Sequence, residues 1–118
     1  MKKLCTILFL VFLLVINTKA QKLPKGGTYF LDFIDMEYQG KKYGTCKAVV
    51  KGNRIKLYVV KGCYQKPGML IEEGILLIHK SGKIIIGGKK TDRNATEIGG
   101  CSDGPRIIDF KKKRYETC

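Results

Sequence analysis

The sequence predicts an all-β domain: a small antiparallel meander of about six strands, closed into a barrel or folded over as a sandwich and stabilised by disulfides. Three observations lead there. Short runs of aromatic and β-branched residues alternate with polar ones and are separated by glycine-containing turns. No window of about a dozen residues keeps apolar positions at helical spacing without glycine or β-branched runs. Four cysteines, 46, 63, 101 and 118, lie in the chain that follows an apolar leader.

The leader comes first in the chain. Lys2 and Lys3 precede an apolar run over residues 4–16, and Asn17, Thr18, Lys19 and Ala20 supply a polar end with a small residue last. This is the plan of a secretory signal peptide cut between Ala20 and Gln21. Thirteen apolar residues are too few for the roughly 20 that a spanning helix needs. Residues 1–20 are therefore expected to be removed, leaving a single exported domain over residues 21–118, periplasmic or extracellular. No transmembrane span is expected in it.

Three of the 23 basic residues fall in the leader and none of the ten acidic ones, so the mature domain carries 20 positive charges against 10 negative, or +10. An apolar fraction of 44% excludes full disorder, and the length excludes a multidomain enzyme.

Along the mature chain, residues 29–38 read as a first strand, followed by a turn at Gln39 to Lys42. Residues 45–51 and 54–61 flank Gly52-Asn53, a two-residue connection suited to a primed hairpin turn. With Lys51 opposite Arg54, one face of this hairpin carries Cys46/Val59, Ala48/Leu57 and Val50/Ile55. The other carries Lys47/Tyr58, Val49/Lys56 and Lys51/Arg54. One face is apolar and the other largely basic, the pattern of a half-buried ribbon. Residues 69–80 form a fourth strand with a bulge or bend at Gly74, and residues 83–86 return after Ser81-Gly82. Residues 89–105 are polar, glycine-rich and irregular, and residues 106–115 supply the last strand.

In an oxidising compartment four cysteines read as two disulfides. Alternating strand directions favour Cys46 with Cys63 and Cys101 with Cys118, the second pair requiring the last strand to be short or bent; the other pairings stay open. Spacings of 17, 38 and 17, with His79 as the lone histidine, do not make a zinc site, so no metal and no cofactor is expected.

No catalytic residue is assigned. A hydrolase would have to use His79, yet serines are scarce and no nucleophile-elbow motif is present. Asp32 and Asp35, and Glu72 and Glu73, point to opposite faces of regular strands and do not pair for acid–base work. Asp32, between Leu31 and Phe33, is the acid expected to approach a ligand from a barrel lining. Asn94-Ala95-Thr96 is a glycosylation sequon, relevant only in a glycosylating source.

The candidate ligand-binding residues are the basic ones. Lys47, Lys51, Arg54 and Lys56 share the hairpin's outer face with Tyr58, and Lys111, Lys112, Lys113 and Arg114 form a run near the C-terminus. Their chemistry suits a polyanionic glycan, a lipid headgroup or another exported protein. Nucleic acid is not expected as a partner of an exported chain without a base-stacking motif. The first expectation is a non-enzymatic exported binding module with a basic surface, its ligand anionic or amphipathic. The alternative is an inhibitor or protein-interaction domain using the loop 89–105.

Overall fold

The computed structural model describes residues 21–118; the expected signal peptide lies outside them. Seven strands follow one another: β1 (Gly27–Asp35), β2 (Lys41–Lys51), β3 (Arg54–Gly62), β4 (Leu70–Ile78), β5 (Ile84–Gly87), β6 (Arg106–Asp109) and β7 (Arg114–Thr117). Each pairs antiparallel with the next, and β7 pairs parallel with β1, so the sheet is a closed barrel. The parallel closure follows from the odd strand number, because in an up-and-down meander the first and seventh strands run the same way.

The strand count exceeds the expected six because the last expected strand is two. Asp109 Oδ1 accepts the Lys112 N–H at 2.8 Å, and Lys113 takes a left-handed φ of 56°. This local turn competes with extended backbone and splits the run into β6 and β7. The β2–β3 hairpin has the expected register, from Lys51 opposite Arg54 to Cys46 opposite Val59. Of the two turn residues only Gly52 has a positive φ (60°), as in a II′ arrangement. At Gly74 a Cβ would collide with the Gly87 carbonyl and Ile86, so glycine permits a close strand approach there.

Alternation sends Leu31, Phe33, Cys46, Ala48, Val50, Ile55, Leu57 and Val59 inward to meet Leu76, Ile84, Ile86, Ile108 and Tyr115. Side chains fill the interior, as expected for a barrel this narrow. Burying each large apolar residue contributes about 1.5–3 kcal/mol. Residues 89–105 lie against the outside of β4–β6. The Lys80 N–H donates to the Arg93 carbonyl, and Gly99 packs on Ile107, the β6 partner of the fully buried Ile85.

One of the two expected disulfides is present. Cys101 and Cys118 are bonded with Cα atoms 5.0 Å apart, which the split of the last strand allows by shortening the reach from Cys101. Cys46 and Cys63 are buried thiols, a correction to the expected second bridge. The physical reason is local backbone shape. A bulge between Thr45 and Cys46 shifts the β2–β3 register, and Cys63 adopts a left-handed φ of 60°. Its Sγ is thereby turned over Gly44, where it donates to the Lys61 carbonyl at 3.4 Å and approaches the Thr45 carbonyl at 3.5 Å. Burial, the nearby Cys63 and Asp32 push the Cys46 thiol up to about 12, so at pH 8 it has essentially no thiolate. Within residues 21–118, maleimide should therefore leave the native protein unlabelled at pH 8. It should label two cysteines after denaturation and four after denaturation with reduction, counted by mass spectrometry of the proteolytic fragments.

Candidate functional site

The outer wall is built by the same alternation that fills the core. Opposite each inward residue of β2 and β3 stands an outward one, and the register lines these up across strands. Phe30 of β1 faces Lys47 of β2, Lys47 faces Tyr58 of β3, and Tyr58 faces Leu70 of β4. The next row holds Thr28, Val49, Lys56 and Glu73, and the row after it Lys51, Arg54 and Ile75. Strands lie about 4.8 Å apart, so the first row spans roughly 14 Å. Phe30 is 60% exposed and Leu70 44%, with Met69 beside it at 48%. Lys47 Nζ sits 5.8 Å from the centre of the Tyr58 ring, a cation–π contact. Among the described residues the ion pairs are Lys42–Asp32 at 3.0 Å and Arg114–Glu116 at 3.6 Å. Lys47, Lys51, Arg54 and Lys56 thus carry no carboxylate partner within this set.

The structure brings the two basic segments to opposite flanks of one strand. On one side of β1, Phe30 pairs with Lys47; on the other, the Asp32 N–H donates to the Lys113 carbonyl at 2.8 Å. Lys111, Lys112 and Lys113 are exposed on the β6–β7 turn, and Arg114 is half-buried at the start of β7.

The second polar region is the barrel mouth formed by the ends of β1 and β7 with the segments after β1 and β3. It encloses an open cavity of about 640 Å³. The expected barrel-lining acid is not there: Asp32 points outward to Lys42. Asp35 lies two residues after the inward Phe33, so the unbroken alternation of β1 carries it to the mouth, 4% exposed; the register shift beside it comes from an extra residue, Tyr43, on β2. Its Oδ1 accepts the Glu37 N–H at 2.9 Å and its Oδ2 accepts the Tyr64 hydroxyl at 3.0 Å. Glu72 Oε2 accepts the hydroxyl of the buried Tyr115 at 2.6 Å. Burial raises the Glu72 carboxyl, against the Tyr115 hydrogen bond and the nearby Arg106, which lower it. Glu73, the outward neighbour, faces Lys56 as the strand period requires.

His79 is built into the fold. The Ser81 N–H donates to Nδ1 at 3.1 Å, which makes Nδ1 an acceptor and leaves Nε2 to donate to the Ala95 carbonyl at 2.7 Å. Ser81 Oγ lies 2.9 Å from the same Nδ1. The ring ties the 89–105 segment to the β4–β5 turn and is 5% exposed. This segment is itself ordered by Asp92, whose Oδ2 accepts the Gly88 and Lys89 N–H groups, and by the Cys101–Cys118 bond.

Comparison with family models, with curated proteins and with solved structures finds no match to this chain. The functional reading therefore rests on geometry and chemistry alone.

His79→Ala should cost about 1–3 kcal/mol by leaving the Ala95 carbonyl and the Ser81 N–H without their partner. A lowered urea midpoint at an unchanged m-value would show it. Glu72→Gln keeps an acceptor for Tyr115 and removes a charge that burial disfavours. A carboxyl raised in the folded state stabilises the fold when protonated, and that contribution is lost as pH rises through the folded-state value. The variant should therefore melt no lower than the parent at pH 7, with its relative advantage shrinking as pH falls toward the ordinary carboxyl value of 4.5. Melting curves across pH 4–7 read this directly.

Proposed function

We propose that this protein is an exported, non-enzymatic binding module that meets an anionic lipid surface through the outer wall of β1–β4. The observation that carries the reading is the cross-strand row Phe30–Lys47–Tyr58–Leu70, flanked by Lys51, Arg54 and Lys56. A soluble polyanion needs only the cations. Phe30, Met69 and Leu70 give the wall apolar side chains that can enter the headgroup–acyl boundary while the lysines meet lipid phosphates. A residue such as Tyr58, apolar in its ring and polar at its tip, suits that boundary.

The magnitude is sufficient for reversible attachment. Each lysine or arginine near an anionic surface contributes about 1 kcal/mol, so the four hairpin cations would supply about 4 kcal/mol, or roughly three orders of magnitude in affinity at moderate salt. The basic run 111–114, on the other flank of β1, adds to the local field without having to touch the same lipids. His79 supports the non-enzymatic part of the reading, since both of its ring nitrogens are engaged in holding the chain together.

Cosedimentation with phosphatidylglycerol vesicles tests the proposal. Binding should exceed that to phosphatidylcholine vesicles by about 100-fold or more at 50 mM salt and weaken steeply by 300 mM. Lys47→Glu with Lys56→Glu should abolish it, and Phe30→Ser should weaken it by about tenfold without altering the melting temperature. Equal binding to both vesicle types would overturn the proposal. So would binding to soluble heparin as tight as to vesicles and indifferent to Phe30→Ser, which would point to an acidic polysaccharide.

A further inference from the structure

The barrel mouth has a chemistry opposite to that of the wall. Only ten acidic residues occur in the whole chain, yet Asp35, Glu37 and Glu72 all line this one cavity, with Arg106 as the single basic side chain among its lining residues. Its aromatic lining, Phe33, Tyr38, Tyr64 and Tyr115, is joined into a connected series by Tyr43, which lies behind the lining. Phe33 lies 6.2 Å from Tyr64 and 5.9 Å from Tyr115 by ring centres, Tyr43 lies 5.1 Å from Tyr64, and Tyr38 lies 5.7 Å from Tyr43. Ring faces and carboxylates together attract cations, and the attraction grows as water is excluded.

Hydrogen-bond direction sharpens this. The hydroxyl protons of Tyr64 and Tyr115 are already directed into Asp35 and Glu72. What those two tyrosine–carboxylate pairs still offer to a guest is lone pairs, on the phenol and carboxylate oxygens. The pairs also fix the rings, so little side-chain order has to be created on binding. A volume of about 640 Å³ falls within the ordinary range for small-molecule sites and exceeds what a bare metal ion would need.

The geometry points to the mouth as a binding site for an organic ammonium ion with an apolar body, its charged head among Asp35, Glu37 and Glu72 and its body against Phe33, Tyr64 and Tyr115. Burial raises the Glu72 carboxyl and Arg106 only partly opposes that, whereas Asp35 and Glu37 have no basic side chain in an ion pair with them among the described residues. The site is independent of the lipid-facing wall: it uses none of Phe30, Lys47, Lys56, Tyr58 or Leu70, and either site can exist without the other.

Three probes of matched size decide it: 2-phenylethylammonium, 2-phenylethanol and phenylacetate, each titrated into the purified protein and followed through the tyrosine and phenylalanine ring signals by NMR. The ammonium should bind saturably and at least about tenfold more tightly than the alcohol, and phenylacetate should not bind. Glu37→Gln, on the exposed rim, and Glu72→Gln should each weaken the ammonium by about threefold to tenfold and leave the alcohol unchanged. Glu37→Gln keeps the test valid should substitution at Glu72 disturb folding. Equal binding of ammonium and alcohol would overturn the assignment in favour of a simple apolar cleft. Preferential binding of phenylacetate would overturn it in favour of an Arg106-centred anion site, and no saturable shift with any probe would remove the site altogether.

Discussion

The architecture depends on one pairing, the parallel contact of β7 with β1 from Asp32/Arg114 to Asp35/Thr117. Without it the meander is an open sheet with two edges, and an open edge exposes a row of unpaired backbone groups. With it, every strand has two neighbours and the inward faces enclose a core that side chains fill. The same four-residue contact brings Tyr115 beneath Phe33 and sets Asp35 and Thr117 at the mouth. It also carries Cys118 to Cys101, so the disulfide fastens the segment 89–105 to the strand that closes the barrel.

Closure is possible because the chain departs from regularity in a few places. The turn at Asp109–Lys113 makes the seventh strand, and so fixes the sign of the closing pair. The register shift opposite Phe33 and Ile34 is an extra residue on β2, Tyr43, which adds twist while β1 keeps its alternation. On β1 the outward acid is therefore Asp32, paired with Lys42, and the inward acid is Asp35, at the mouth. Strand alternation alone thus separates a surface ion pair from a buried carboxylate that organises two neighbours.

These irregularities mark where the sequence could be read and where it could not. The β2–β3 hairpin was legible down to each cross-strand pair because period-two alternation and a two-residue turn leave one register that buries Ala48, Val50, Ile55 and Leu57 together. The basic outer face followed from the same pattern, and so did the opposed directions of Glu72 and Glu73. The split of the last strand was hidden because Ile107, Ile108, Phe110 and Tyr115 satisfy a strand pattern, whereas the turn depends on the Asp109 side chain bonding to its own backbone three residues on. The opposed directions of Asp32 and Asp35 are legible too, but the same alternation puts Asp35, and not Asp32, on the inward face of Leu31 and Phe33. Alternating strand directions bring Cys63 to the same end of the sheet as Cys46, but its left-handed backbone aims the sulfur elsewhere. The Phe30–Leu70 row needed the β1–β2 and β3–β4 registers, which no short turn specifies, although the exposed aromatic beside an expected basic face was a usable hint.

The two chemical regions also constrain each other through the shape of the barrel. The wall row runs across strands, so the attachment proposed above would lay the barrel on its side. The mouth, at the end of the barrel, would then open away from the contact and stay uncovered by it. Of the wall's cations only Lys56 has a carboxylate opposite it, Glu73, and none is in an ion pair among the described residues, while Asp35 and Glu72 of the mouth are held by tyrosine hydroxyls instead of lysines. Pairing the two sets with each other would neutralise both. Their separation onto wall and end leaves each with a local field of its own sign, and that segregation is a direct consequence of strand alternation, on the wall and at the end of β1 alike.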